Sequence, residues 1–311
     1  MSDETLKTDT PTPQRHFLTP PTPRAVRLPA WFKVNQSVGK NYLALRRLLR
    51  DENLHTVCEE GQCPNRRECW EAKTATFMIL GDICTRSCGF CAVGFGRPDT
   101  VDWGEPARLA AAVVRLGLRH AVITSVNRDE LDDGGASMFV ACIEQIRKQS
   151  PCAVEILIPD FQGNRSALAA VFAARPDILV HNIETVPRLY PTVRPQAKYD
   201  RSLDLLAASS AAGLPTKTGL MLGLGETTDE VRAVMSDLVA IGCDILTLGQ
   251  YLQPTARHLP VTRFVPPNEF AELKREGEAM GLRHVEAGPL VRSSYHAAEV
   301  AEAANGTKRP F

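Results

Sequence analysis

From residue 74 onward, apolar runs of strand length alternate with amphipathic stretches of helix length. "TATFMILG" (74–81), "HAVITSV" (120–126), "AVEILIP" (153–159), "DILVHNI" (177–183), "PTKTGLMLGLG" (215–225) and "CDILTLGQ" (243–250) read as strands. Between them lie helical segments: 105–117 ended by Gly117, one opening at the Gly134–Gly135 turn, 165–175, 199–213 ended by Gly213, and 227–242 with a Thr/Asp start and Gly242 as its stop. A further helix at 266–281 follows the sixth strand. Strands that alternate with helices predict parallel pairing with right-handed crossovers. Six units are too few for a closed eight-fold barrel. The expected fold is therefore α/β, a partial (β/α)6 TIM-like barrel, with its chemistry at the C-terminal ends of the strands.

The flanks complete the division. Residues 1–25 are Pro/Thr-rich and expected to be a flexible tail. Residues 26–73 form an N-terminal extension, with Tyr42, Leu45, Leu48 and Leu49 at helical spacing. Residues 74–283 form the barrel, and 284–311 a C-terminal extension containing Arg292-Ser293-Ser294-Tyr295. No internal repeat is visible beyond the alternation.

Composition narrows the function classes. In 311 residues, 36 Lys and Arg balance 36 Asp and Glu, which argues against a general nucleic-acid binder. No apolar run approaches the ~20 residues that span a bilayer. The first residues lack the apolar core of a secretory signal and carry Asp3 and Glu4, so a cytoplasmic protein is expected, with neither nucleic acid nor membrane as partner. There are nine cysteines, six of them between residues 58 and 91. An odd, clustered set points to reduced metal-ligating thiols rather than to disulfides. Cys142, Cys152 and Cys243 stand alone in apolar surroundings, as small core residues do.

The six clustered cysteines fall into two trios. Cys84, Cys88 and Cys91 have C-x3-C-x2-C spacing in the loop after the first strand. Thiolates suit zinc or iron–sulfur clusters; a structural zinc wants four closed ligands, whereas three thiolates leave one iron of a 4Fe–4S cube open. Cys58, Cys63 and Cys69 have C-x4-C-x5-C spacing. His55 could complete a Cys3His zinc site there, so the residues alone leave zinc, a cluster or free thiols open.

The C-x3-C-x2-C trio, with Phe90 before its last cysteine and a barrel strand before its first, resembles the radical SAM superfamily. The resemblance implies a cluster whose open iron chelates S-adenosylmethionine (SAM). One electron then cleaves the sulfonium to give a 5′-deoxyadenosyl radical that abstracts hydrogen from an unactivated carbon. Gly134 and Gly135 match the superfamily's glycine-rich segment near the SAM amino group. "GLMLGLGE" (219–226), with Gly223 and Gly225, matches its stretch near the adenine. "HNIET" (181–185) supplies Asn182 and Glu184 at the end of the fourth strand, and Arg194 follows as a candidate to position SAM or substrate. Turn glycines and capping polar residues are the plain alternatives.

Both trios together resemble the lipoyl synthase family, as do "LHTVCEEGQCPN", "GDICTRSCGFC", "DDGGA", "LIPDF", "HNIETV", "GLGET" and "GPLVRSSYHA". The likeness spans roughly residues 30–300. It implies two [4Fe–4S] clusters: a SAM-binding one on Cys84, Cys88 and Cys91, and an auxiliary one on Cys58, Cys63, Cys69 and Ser294. It makes those last four residues the catalytic set, because the auxiliary cluster supplies the sulfur put at C6 and C8 of a protein-bound octanoyl-lysine. The implied partners are an octanoylated lipoyl carrier domain (a 2-oxoacid dehydrogenase acyltransferase subunit or the glycine cleavage H protein), an electron donor such as ferredoxin or flavodoxin, and an iron–sulfur cluster carrier. Arg292 is a candidate to place the serine, and His258 and His296 are expected to be structural or solvated. A two-cluster methylthiotransferase acting on tRNA fits less well, because no RNA-binding domain or basic charge is present. The non-enzyme alternative is a cysteine-rich electron carrier or zinc protein, which predicts no SAM cleavage.

Overall fold

The computed structural model describes residues 28–33 and 38–300; the expected tail at 1–25 lies outside the described residues. Its strands are β1 (His55–Thr56), β2 (Thr76–Ile79), β3 (Ile83–Cys84), β4 (Gly94–Phe95), β5 (His120–Ser125), β6 (Ala153–Leu157), β7 (Ile178–Val180), β8 (Thr216–Leu222), β9 (Ile245–Gln250) and β10 (His284–Gly288). One sheet has the order β1-β2-β5-β6-β7-β8-β9-β10, and β3 and β4 form a small second sheet. All neighbours in the large sheet are parallel except β1, which runs antiparallel to β2.

The six expected strands are present in the expected order. The difference is β10, which the sequence placed in the C-terminal extension. It pairs with β9 over five residues and so adds a seventh parallel strand. "HVEAG" has no apolar run because this strand is only half buried on the open edge of the sheet.

One face of the sheet, including Ile123, Ile156 and Leu179, packs with Val113, Phe139 and Ile143 of the covering helices. The other face carries Thr76, Val122 and Glu155, which the register aligns. Glu155 there accepts from Lys217 Nζ at 2.9 Å and meets His120 Nε2 at 3.0 Å. These charges are buried and pairing offsets their desolvation. The sheet curls strongly. β2 and β10 lie near its opposite ends, yet Ser294, just past β10, accepts a hydrogen bond from Thr76 of β2 at 2.7 Å. Asn65 Nδ2 donates to the Leu290 carbonyl at 2.6 Å, and the Tyr295 hydroxyl donates to Glu68 at 3.0 Å. The gap of the open barrel is thus bridged by the two flanking segments. Cys142, Cys152 and Cys243 are buried thiols outside any disulfide, as expected. Among the described residues no helix is long and apolar enough to cross a membrane.

Candidate active site

The second trio hangs on a loop pinned from several sides. Leu80 and Gly81, both at positive φ (70° and 87°), turn the chain out of β2. Pairing of β3 with β4 then closes the loop, and Gly96 N–H donates to the Cys84 carbonyl at 2.9 Å. Cys84 Sγ accepts backbone N–H groups from Arg86 (3.4 Å) and Asn127 (3.3 Å). Gly89 is held between Val193, whose carbonyl it bonds at 2.9 Å, and Leu259, whose N–H bonds back at 3.0 Å. His258 Nε2 donates to the Cys91 carbonyl at 2.9 Å while its Nδ1 accepts from Thr255, so this histidine is structural.

Arg86, from the middle of the loop, is almost wholly buried. It donates twice to Asp129 (2.7 Å each) and once to Asp160 (2.6 Å), whose second oxygen takes Arg201 at 3.0 Å. Asp129 follows β5 and Asp160 follows β6, so the loop is tied to two strand ends. Despite its burial, the Asp160 carboxyl is pulled down to about 2, chiefly by Arg86.

Burial pushes the Cys88 thiol up to about 11, against the opposing charge of Arg194. It pushes Cys91 up to about 12, with Cys88, Cys84 and Glu184 adding to the effect. Cys88 and Cys91, in electrostatic reach of each other, resist ionisation alone. Bound iron would reverse that balance, since a coordinated thiol is deprotonated outright.

Beside this loop lies a rim of buried polar atoms without partners: Ser125 Oγ, Asn127 Oδ1, Asn182 Oδ1, Thr185 Oγ1 and Arg194 Nε. An unpaired buried polar atom costs about 1–3 kcal/mol, so five around one loop mark a place for a polar ligand. Arg194 Nη1 donates to the carbonyls of Asn182 (2.6 Å) and Ile183 (3.0 Å), and its guanidinium lies over the Tyr190 ring. Glu184 adopts φ of 68°, and burial raises its carboxyl against the pull of Arg194, Asn182 and Arg292. A Cβ at Gly219 would stand 2.8 Å from Asn182 Oδ1, so glycine leaves room for that amide.

The sequence-predicted glycines are less directly placed. Gly134 and Gly135 sit in a left-handed turn well beyond the end of β5, facing Phe161 and Leu80. The Gly135 N–H is already taken by Asp133 at 2.8 Å. Asn127, which directly follows β5 and touches Cys84, is the residue that sequence reasoning missed. Gly223 and Gly225 have φ of 101° and 114°, and Glu226 closes their turn by accepting N–H groups from Gly223 (2.6 Å) and Leu224 (2.9 Å).

The first trio lies on two short helices, Val57–Glu60 and Arg66–Glu71, with Cys63 in the turn between. Fully buried Trp70 packs on Tyr42 at 5.1 Å and seats the second helix. Burial and then Cys63 push Cys58 up to about 11, opposed by the Thr76 N–H. Burial, Cys58 and Cys63 push Cys69 up to about 12. The thiols are mutual neighbours, whereas His55 turns to Glu60 at 3.9 Å. Among the described residues no three such side chains converge on a single-ion position. A [4Fe–4S] cluster would take each thiolate of a trio on a different iron.

Ser294 reaches this trio through Thr76, whose hydroxyl bonds Ser294 and whose strand pairs with the segment leading into the Cys58 helix. Arg292 Nη1 donates to the Val291 carbonyl at 2.7 Å, and its charge acts on both Cys63 and Glu184, one from each side of the site. A Cβ at Gly249 would collide with the Val291 carbonyl, so that glycine lets the serine segment lie against β9. His296 is exposed, pairing with Glu299 at 3.2 Å.

Residues 78–238 match the radical SAM superfamily, and residues 8–63 match the N-terminal domain of lipoyl synthase of that family. The chain is 59% identical over 277 residues to a lipoyl synthase from Rubrobacter xylanophilus, covering 88% of this chain and 86% of that protein. It is 56% identical over 286 residues to one from Koribacter versatilis, covering 91% and 93%. Among solved structures, Streptococcus suis SuiB bound to the precursor peptide SuiA aligns with a TM-score of 0.56 at 11% identity, over 88% of this chain and 60% of that one. The [FeFe]-hydrogenase maturase HydG aligns at 0.52 and 13%, over 73% and 62%. Those two likenesses concern the fold alone. From the paired trios, the partial barrel and the identity along nine-tenths of its length, the chain belongs to the lipoyl synthase family of radical SAM enzymes.

Proposed function

We propose that this chain inserts sulfur at C6 and C8 of an octanoyl chain borne on a lysine of a lipoyl carrier domain, with two [4Fe–4S] clusters and SAM. The carrying observation is the pair of separate three-thiol sites, one beside a hydroxyl from the far end of the chain, the other beside unpaired polar atoms. A saturated C–H bond has no acidity for a general base to exploit, so radical chemistry suits the substrate. The cluster held by Cys84, Cys88 and Cys91 would supply the electron that turns SAM into a radical source.

The residues around it bind and orient. Asn182, Asn127, Ser125 and Thr185 offer the polar atoms that the ammonium and hydroxyl groups of SAM require, and Arg194 Nε offers a donor to its carboxylate. Glu184 adds an acceptor, and Gly134, Gly135, Gly223 and Gly225 shape the turns alongside. Cys58, Cys63, Cys69 and Ser294 hold the sulfur donor. Serine is a hard ligand beside soft thiolates, which favours its release when sulfur must leave. The partners in this reading are an acyltransferase subunit or H protein carrying the octanoyl group, a ferredoxin or flavodoxin, and a cluster carrier, in the cytoplasm.

Anaerobic reconstitution tests it. About eight irons per chain, reductive SAM cleavage and conversion of an octanoyl-lysyl peptide are expected. Zinc in place of iron would overturn the reading. A Ser294→Cys variant should hold its iron yet release sulfur poorly, and normal turnover by it would contradict the role given to serine.

A further inference from the structure

Thr76 opens the first parallel strand and is buried, with the two parts of the first site on either side of it. Its strand pairs, through Phe77 and Thr56, with the segment that leads into the Cys58 helix, and its hydroxyl donates to Ser294 Oγ at 2.7 Å. Among the described residues it is the hydrogen-bond partner of the Ser294 hydroxyl. One barrel residue therefore joins the first cysteine trio to the serine 218 positions away.

We propose that Thr76 is a positioning residue that holds Ser294 beside the first trio and sets how readily the serine oxygen leaves iron. The inference rests on the reading of Ser294 as a cluster ligand. A donated hydrogen bond draws electron density from the serine oxygen and makes it a weaker donor to a metal. The same bond gives the oxygen a partner once it is off the metal, where a buried unpaired hydroxyl would be costly. Neighbouring groups keep the geometry fixed. Tyr295 is anchored to Glu68, Leu290 to Asn65, and Val291 lies against Gly249. The serine segment can thus shift locally at Ser294 without letting go of the trio.

The test uses the holoenzyme reconstituted with 57Fe, comparing the unaltered protein with Thr76→Val, Thr76→Ser and Ser294→Ala. Mössbauer spectra report the oxygen-ligated iron, and iron release is followed through a single turnover with SAM and an octanoyl-lysyl peptide. Thr76→Val should keep the oxygen-ligated iron but release iron about fivefold more slowly, the effect of one net hydrogen bond. Thr76→Ser should restore the rate. Release from Thr76→Val at the unaltered rate overturns the proposal. If Thr76→Val assembles without the first cluster, recovery of the oxygen-ligated iron in Thr76→Ser supports the proposal, and its continued absence overturns it. Ser294→Ala separates the two levels. A spectrum unchanged by that variant sinks the ligand reading itself, whereas a changed spectrum with no Thr76 effect sinks only the positioning role.

Discussion

The two cysteine trios carry equal numbers of thiols in unlike settings. The second sits on one short loop and is tied down locally: two N–H groups on Cys84, a buried arginine held by two aspartates, a clamped glycine and a histidine on the Cys91 carbonyl. The first lies on two short helices and is met by a segment from the far end of the chain, across the gap of an open barrel, through single hydrogen bonds at Thr76, Asn65 and Glu68. Dense local fixation suits a centre that must persist through many cycles. Closure by a few separable contacts suits one that is dismantled and rebuilt. The difference lies in the wiring around the sulfurs, because burial raises thiols in both trios alike, Cys58 and Cys69 in the first and Cys88 and Cys91 in the second.

The comparison can be broken most sharply by removing a thiol from each side. Cys88→Ala should reduce reductive SAM cleavage to background, while Cys58→Ala should keep SAM cleavage and lose sulfur insertion. Equal loss of SAM cleavage in both variants would end the division of labour. Next in size is the arginine network. Asp160→Asn leaves the Arg86 guanidinium underpaired in a buried site, so unfolding in urea should show a loss of about 3–5 kcal/mol. Iron should be lost from the second site before the first; the reverse order would count against the network as that loop's anchor. Gly249→Ala presses a methyl on the Val291 carbonyl and should cost about 1–3 kcal/mol. Its damage should fall on the first site, read as iron lost there with SAM cleavage retained. The smallest effect is expected from His258→Gln, about 1 kcal/mol for one hydrogen bond to Cys91, measured as a modest fall in Tm.

Much of this was legible in the sequence because barrel strands buried on both faces leave apolar runs that little else produces. The strands from 74 to 250 were readable for that reason, and the two cysteine spacings were readable as chemistry. β10 was not, since a half-buried edge strand with His284 and Glu286 carries no such run. Ser294 was visible only through family resemblance: a serine in a polar turn has no distinguishing local signal, and its meaning comes from Thr76 two hundred residues earlier. Asn127 escaped for a related reason. Its backbone, not its side chain, reaches Cys84, and only the fold shows that its amide oxygen is left unpaired. Arg86 lay within the motif itself, yet its two carboxylate partners come from different strand ends. The glycine pair at 134 and 135 was conspicuous in sequence because a left-handed turn demands glycine, whatever else the turn does.

The most direct measurement is a single turnover of protein reconstituted with 34S-labelled clusters, given SAM and an octanoyl-lysyl peptide with unlabelled sulfide in solution. The account predicts labelled sulfur in the product, loss of roughly half the iron and a second trio that still cleaves SAM afterwards. Product carrying solution sulfur, with both clusters intact, would contradict it.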